Sequence, residues 1–239
     1  MKLLNLVFKR ETLPVMLALM FASAVSVMLV IGRVAWTRNY QYAFLVWNLV
    51  LAWLPLVFAL LARENFNTGR QRKWRFYTLA VAWLLFFPNA PYIFTDLIHL
   101  TTWFARYFWI DLAMFLLFAI VGLVLGFLSL YLMQSVVAQM YGRVVGWLFA
   151  ALAAGLCSVG IYLGRFLRFN SWDVVRPWKF VHGLDAWMGG RVPHISSAGF
   201  MAFFATFLFL TYLMLYALTH LPRAQEMRAQ LDEGTLGGT

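Results

Sequence analysis

Apolar runs of about 20 residues recur along the chain and are separated by short polar connections. A run of roughly 20 apolar residues is long enough to cross the hydrocarbon layer of a membrane as a helix. The pattern therefore predicts an all-α fold, a polytopic membrane helical bundle of about six transmembrane helices. The six runs cover approximately Leu13–Ile31, Tyr42–Leu61, Phe76–Ile98, Phe108–Met133, Val144–Leu163 and Ala198–Leu218.

The first run resembles a signal peptide in part, because Lys2, Lys9 and Arg10 precede it and Ala22-Ser23-Ala24 resembles a cleavage site. However, the apolar run continues to Ile31, which is longer than the usual apolar region of a signal peptide. We therefore expect it to be retained as the first span. Residues 1–221 are predicted to form a single transmembrane domain, and the polar segment 222–239 a flexible cytoplasmic tail.

The composition agrees with a membrane protein. Of 239 residues, 63% are hydrophobic and only 12% are charged, whereas about a quarter of the residues of a soluble domain are charged. The net charge of +10 does not indicate nucleic acid as a partner, because Lys and Arg in membrane proteins set orientation and contact anionic lipid. The single cysteine, Cys157, excludes an internal disulfide.

The basic residues also predict an orientation. With six spans, 11 of the Lys and Arg residues lie on the side of the N-terminus and 8 on the other, which together make the 19 in the chain. The dense group from Arg70 to Arg75 lies on the N-terminal side. The positive-inside rule therefore predicts that both termini are cytoplasmic and that the protein lies in the cell (inner or plasma) membrane.

Polar residues that apolar helices usually avoid gather at the predicted outer ends of the third, fourth and fifth spans. Pro88 and Pro91 are expected to kink the third span, because proline removes a backbone donor. Asn89 and Thr95 are candidates to satisfy the freed backbone groups. The topology brings the outer span ends to one depth and predicts a single polar cluster of Asp96, His99, Asp111, Arg165, Arg168, Asn170 and Asp173, with His194 as a further candidate.

Three segments of the chain resemble the hallmark segments of a family of bacterial and archaeal multi-pass membrane proteins that contain a domain of unknown function. The segments read FPNAPYIFTDLIHL, WIDL and GIYLGRFLRFNSWDVV. The resemblance covers roughly Leu45 to Leu218. It implies membrane residence and a feature shared by the family at these segments, but it implies no activity.

The residue types in the cluster suggest chemistry. Asp96, His99 and Asp111 are the candidate catalytic residues, acting as acid, base or metal ligand. Arg offers a planar donor fork for phosphate or carboxylate, so the predicted substrate-binding residues are Arg165, Arg168, Asn89, Tyr92, Asn170 and Asp173. No cofactor is evident, although Asp96 and His99 at i, i+3 leave a divalent metal open. The structural alternative is a set of Asp–Arg salt bridges between helices.

Small residues predict where helices pack closely. Gly122 and Gly126, and likewise Gly160 and Gly164, are spaced four apart, a spacing that lets helices approach in lipid. We expect these glycines to draw the fourth and fifth spans together and to bring Asp111 near Arg165.

Three functions stay open at this point, and whether the protein is an enzyme is uncertain. The first is an outer polar site that binds or processes an anionic, lipid-linked ligand, with membrane lipids and their anionic or phosphorylated head groups as partners. The second is a small transporter gated by the kinked third span, and the third a non-catalytic scaffold or assembly protein. Little polar lining continues towards the cytoplasm, which counts against a pore. The oligomeric state is open.

Overall fold

A computed structural model describes residues 13–67, 73–101, 107–168 and 197–236, and within these ranges every regular element is helical. A 3-10 helix, Asp96–Thr101, follows the fourth α-helix. The α-helices are α1 (Leu13–Thr37), α2 (Phe44–Asn67), α3 (Lys73–Phe86), α4 (Asn89–Thr95), α5 (Phe108–Tyr141), α6 (Arg143–Phe166) and α7 (Ser197–Leu236).

The predicted all-α class and the six spans are confirmed. Six helical segments are long and apolar enough to cross a membrane, and each overlaps one of the predicted runs. The first helix extends to Thr37, about two turns beyond the predicted end at Ile31. This extension places Arg33 inside a span, whereas the sequence pattern places it in a loop.

The third span is broken at Pro88, as the two prolines predict. The amide of Phe87 still donates to the carbonyl of Trp83 at 2.7 Å, and the helical pattern resumes when Tyr92 donates to Pro88 at 3.0 Å. Asn89 Nδ2 donates to the carbonyl of Phe86 at 3.1 Å. The side chain of Asn89 thus supplies a donor where proline has none.

The short helix α4 and the proline before it pack closely against glycines on two neighbouring helices. A Cβ on Gly122 would lie 2.6 Å from the carbonyl oxygen of Ala90, and one on Gly160 would lie 2.5 Å from Cγ of Pro88. Gly126 faces Ala90 and Pro91. The fourth and fifth spans do pack against each other as predicted. The role predicted for Gly122, Gly126 and Gly160 in that contact was wrong, because all three face the segment that begins at Pro88.

Helix α5 lies at the centre of the bundle. More than half of its apolar stretch is buried, compared with about a fifth in α1 and α7. The outer helices therefore keep large apolar side chains exposed, such as Phe21, Met28 and Phe203, as is expected for helices that face lipid. In the core, Trp83 stacks on Phe87 with ring centroids 4.7 Å apart and donates from Nε1 to Ser129 at 3.1 Å.

The last helix, α7, continues to Leu236. Most of the segment 222–239 is thus helical in secondary structure, where the sequence suggests an irregular tail. The cytoplasmic placement and the flexibility of this segment stay predictions.

Candidate functional site

Two buried ion pairs lie at one end of the bundle, where α1 and α6 end and where α2 and α5 begin. We call this end the polar end. Asp111 lies in the first turn of α5 and Arg165 in the last turn of α6, so each charge also interacts favourably with the dipole of its own helix. Among the described residues, no buried side-chain nitrogen or oxygen lacks a hydrogen-bond partner.

The first ion pair joins the broken third span to α6. Arg165 Nη2 lies 2.6 Å from Oδ1 of Asp96, and the Asp96 side chain is only 2% exposed. The other carboxylate oxygen of Asp96 accepts a hydrogen bond of 2.8 Å from Asn48 Nδ2. Arg165 also donates to the hydroxyl of Thr95, from Nη2 at 2.6 Å and from Nε at 3.2 Å. Three helical segments are therefore connected through one carboxylate.

The guanidinium of Arg165 is further enclosed by two rings. It lies over the ring of Tyr92, with Cζ 4.6 Å from the ring centroid, and Nη1 lies 3.1 Å from Nε2 of His99. Arginine can only donate, so Nε2 of His99 must be the acceptor and its ring proton must be on Nδ1. His99 is exposed, and its ring contacts Phe44 edge to face.

The second ion pair joins α1 to α5. Arg33 binds Asp111 in a bidentate manner, with Nε 2.6 Å from Oδ1 and Nη2 3.0 Å from Oδ2. Both side chains are more than 90% buried. The Arg33 guanidinium also lies 4.7 Å from the ring centroid of Tyr107 and 5.8 Å from that of Tyr42. Two parallel hydrogen bonds from a planar guanidinium to a carboxylate make a strong and directional ion pair.

The hydroxyl of Tyr42 completes this second network by donating to Oδ2 of Asp111 at 3.3 Å. Tyr42 lies in the connection between α1 and α2. Burial raises the pKa of Tyr42 above its ordinary value of 10.0, and the neighbouring Asp111 carboxylate raises it further. Tyr42 is therefore protonated near neutral pH and remains a donor to the carboxylate.

The structure divides the single cluster that the topology suggests into two networks. Asp111 pairs with Arg33, and not with Arg165 as expected, because α1 packs against α5 and brings Arg33 to Asp111, whereas Arg165 at the end of α6 meets Asp96 just after α4. The sequence interpretation missed Arg33, Asn48 and Tyr42 as members. Asn48 did leave a signal, since it is the one strongly polar residue in its predicted span and a buried amide needs partners.

The remaining predicted site residues do not belong to either ion pair, or they lie outside the described residues. Helix α6 ends before Arg168, which is exposed and has a left-handed φ of 54°. It therefore does not continue the helical face of Arg165 as predicted. Asn89 is half-buried and is used in the proline break. Asn170, Asp173 and His194 lie outside the described residues.

The geometry bears on the open question of a metal. Asp96 Oδ1 and His99 Nε2 both point at the guanidinium of Arg165, so this cation occupies the space that a metal ion between them would need. Within the described part of the chain, no three His, Cys, Asp or Glu side chains form a group that could hold a metal ion.

Comparison with known proteins matches residues 47–215 to the model of DUF1361, a family described as proteins of unknown function. The chain belongs to this family. The DUF1361 match includes Asn48, Asp96, Asp111 and Arg165, whereas Arg33 precedes it. No curated protein matches the chain, and no solved structure does. The family description names no activity, so the function has to be inferred from the site.

Proposed function

We propose that this chain is an integral protein of a bacterial inner membrane that binds an anionic head group, of a lipid or a lipid-linked compound, at its polar end. Both termini would be cytoplasmic and the polar end would face outward. The observation that carries the proposal is the exposure of Arg168 and His99 next to an internally paired Asp96–Arg165. We call Arg168 and His99 the exposed edge of the polar end. The Asp96–Arg165 pair fixes the position of this edge, and its two exposed residues would contact the ligand.

Charge supports this assignment of roles. The charge of Arg165 is balanced by Asp96, and all three of its guanidinium nitrogens contact protein atoms. An anion would have to displace one of those partners to bind Arg165 directly. Arg168 follows the last residue of α6 by two positions and is exposed, so it adds a positive charge beside Arg165. A basic residue at a membrane surface contributes about 1 kcal/mol to binding of anionic lipid.

The three predicted catalytic residues differ in accessibility. Asp96 and Asp111 are buried, and both oxygens of each carboxylate accept hydrogen bonds. His99 is exposed, and its Nε2 accepts a hydrogen bond from Arg165. Of the three, His99 is the residue that would exchange a proton with a bound head group, while the carboxylates hold the cations in place.

Binding is better supported than transport. A transporter needs polar groups that continue across the membrane. In the described spans, Ser26, Ser135 and Ser158 donate back to a carbonyl of their own helix. Ser129 does the same and is buried beside Trp83. These hydroxyls are therefore satisfied locally and do not mark a polar path.

The proposal is tested by lipid retention. The purified protein would be placed in nanodiscs containing phosphatidylglycerol and phosphatidylcholine with the same acyl chains, and the lipids retained on gentle extraction would be counted by native mass spectrometry. We expect a preference for phosphatidylglycerol that falls about fivefold in Arg168→Gln, which corresponds to roughly 1 kcal/mol. His99→Gln should reduce it less, because glutamine keeps an acceptor and a donor.

The matched control is Arg143→Gln, since Arg143 is exposed at the opposite end of the same helix, α6. An equal loss in Arg143→Gln would show general attraction of basic residues to anionic lipid and would overturn the proposal. The absence of any preference in the unmodified protein would also overturn it and would favour the scaffold hypothesis.

A further inference from the structure

A cavity opens beside the second ion pair, away from the edge formed by His99 and Arg168. Its volume is about 270 Å³, and its walls come from the last turns of α1, the connection to α2 and the residue before α5. This volume is slightly below the usual range of small-molecule pockets, about 300–1,000 Å³. The cavity therefore has room for one ring-sized group. The lining includes the side chains of Arg33, Trp36, Asn39, Gln41, Tyr42 and Tyr107.

The cavity presents hydrogen-bond donors without net charge. Arg33 uses Nε and Nη2 to bind the two oxygens of Asp111, so the cation is balanced inside the protein. Its third nitrogen, Nη1, is not used by this pair. Asp111 also fixes the direction of the Tyr42 hydroxyl. A pocket with a balanced ion pair does not select an anion by charge, and its selectivity must come from hydrogen bonds and shape.

The connection between α1 and α2 contributes two carboxamides in a fixed turn. The backbone N–H of Gln41 donates to Oδ1 of Asn39 at 2.9 Å, and Asn39 Nδ2 lies 3.4 Å from the side-chain Oε1 of Gln41. A side chain of this type that accepts from the backbone two residues on stabilises the turn. Each carboxamide can both donate and accept, which matches a ligand whose groups also do both, as hydroxyls do.

Aromatic surfaces complete the cavity. Trp36 is 79% exposed, and Tyr107 presents its ring to the guanidinium of Arg33. Trp and Tyr are enriched where a membrane meets water, and Trp36 and the neighbouring Tyr40 are both exposed at the end of a span. The cavity thus opens at the level of lipid head groups, with apolar ring faces next to amides and hydroxyls.

We infer that this cavity binds a neutral glycosyl group, a single sugar ring carried by a membrane glycolipid or supplied as a soluble sugar. The ring's C–H face would pack on Trp36, and its hydroxyls would exchange hydrogen bonds with Asn39, Gln41 and Arg33 Nη1. The inference is independent of anion binding at His99 and Arg168, because it uses different residues and a ligand without charge.

The test compares three lipids with identical acyl chains: monoglucosyl diacylglycerol, diacylglycerol without a sugar, and phosphatidylglycerol. The protein is extracted in a detergent without a sugar head group, and bound lipid is counted by native mass spectrometry. We expect the glucolipid to be retained at least about fivefold over diacylglycerol, as two weak hydrogen bonds would give. Trp36→Ala and Gln41→Ala should each remove most of this preference.

The matched control is Tyr40→Ala, which removes an equally exposed aromatic residue four positions after Trp36 that does not line the cavity. Methyl glucoside is added as a competitor to distinguish the two sources of the sugar. Displacement by it supports recognition of the sugar alone, and retention despite it supports recognition of the sugar together with its lipid. The inference is overturned if glucolipid and diacylglycerol are retained equally, if Tyr40→Ala has the same effect as Trp36→Ala, or if Trp36→Ala lowers the retention of phosphatidylglycerol as much as that of the glucolipid.

Discussion

Arg165 holds Asp96 with a 2.6 Å contact, and the carboxylate is the more deeply buried partner, with 2% of its side chain exposed against 16% for the arginine. A buried carboxylate that loses its cation is costly, while a partly exposed cation that loses its carboxylate can reach water. The two halves of this pair are therefore not equivalent. The asymmetry gives the first prediction.

We expect Arg165→Gln to be more destabilising than Asp96→Asn. Removal of one partner of a buried ion pair costs roughly 3–5 kcal/mol, and the variant that leaves Asp96 without a cation should be near the upper value. Thermal unfolding in detergent measures both. In the double variant the losses should be less than additive, and strictly additive losses would show that the two groups do not interact.

The pair between Arg33 and Asp111 depends on shape as well as charge. Arg33→Lys keeps the charge but cannot give two parallel hydrogen bonds, so we predict a loss of about 1–3 kcal/mol in unfolding free energy. Arg38→Lys is the control, because Arg38 is exposed at the end of the same helix. Equal stability of Arg33→Lys and the unmodified protein would contradict the bidentate geometry.

Gly160 gives a steric prediction. Gly160→Ala should destabilise the protein by about 1–3 kcal/mol, because the added Cβ would meet Pro88 and push α4 away from α6. Gly155→Ala is the control in the same helix, where the added Cβ meets nothing within 4 Å. That substitution should be neutral or stabilising, since alanine is the better helix former. Similar melting temperatures for the two variants would refute the close contact.

A buried hydrogen bond joins α7 to α5, from the hydroxyl of Tyr212 to Oε1 of Gln134. Tyr212→Phe should cost about 1–2 kcal/mol, because it leaves a buried amide oxygen unsatisfied. Adding Gln134→Leu should restore part of this loss, since replacing both partners with apolar groups removes the unsatisfied atom. Unfolding midpoints of the single and double variants test this prediction. No recovery in the double variant would indicate that packing, and not the hydrogen bond, sets the cost.

Tyr42 should give the protein a pH-dependent stability at high pH. Its pKa is raised in the folded state, so its contribution is complete below the ordinary value of 10.0 and is lost as the pH rises through the folded-state pKa. We expect a decline in melting temperature above pH 10 that is smaller in Tyr42→Phe. Tyr40→Phe controls for the loss of a phenol in the same connection. Parallel pH profiles for Tyr42→Phe and the unmodified protein would contradict the raised pKa of Tyr42 in the folded state.

Much of the fold follows from hydrophobicity alone, because only helices satisfy backbone groups within a membrane. The break at Pro88 was also predictable, since proline lacks the necessary donor. The pairing of charges was not. Apolar runs do not specify which helices are neighbours, so Asp111 was expected near Arg165, and Arg33 was placed in a loop because an unpaired arginine belongs in water. Only the packing of the helices shows that Asp111 pairs with Arg33 and so allows α1 to continue beyond this arginine.

The Arg33–Asp111 pair also constrains the order of biosynthesis. Arg33 precedes Asp111 by 78 residues, so the ribosome completes the first three spans before the carboxylate exists. Until then, the long side chain of Arg33 must extend to the lipid–water boundary. The ion pair can therefore fasten α1 to α5 only after the fourth span has begun to insert, and a chain truncated before Asp111 would lack this connection between its first helix and the rest of the bundle.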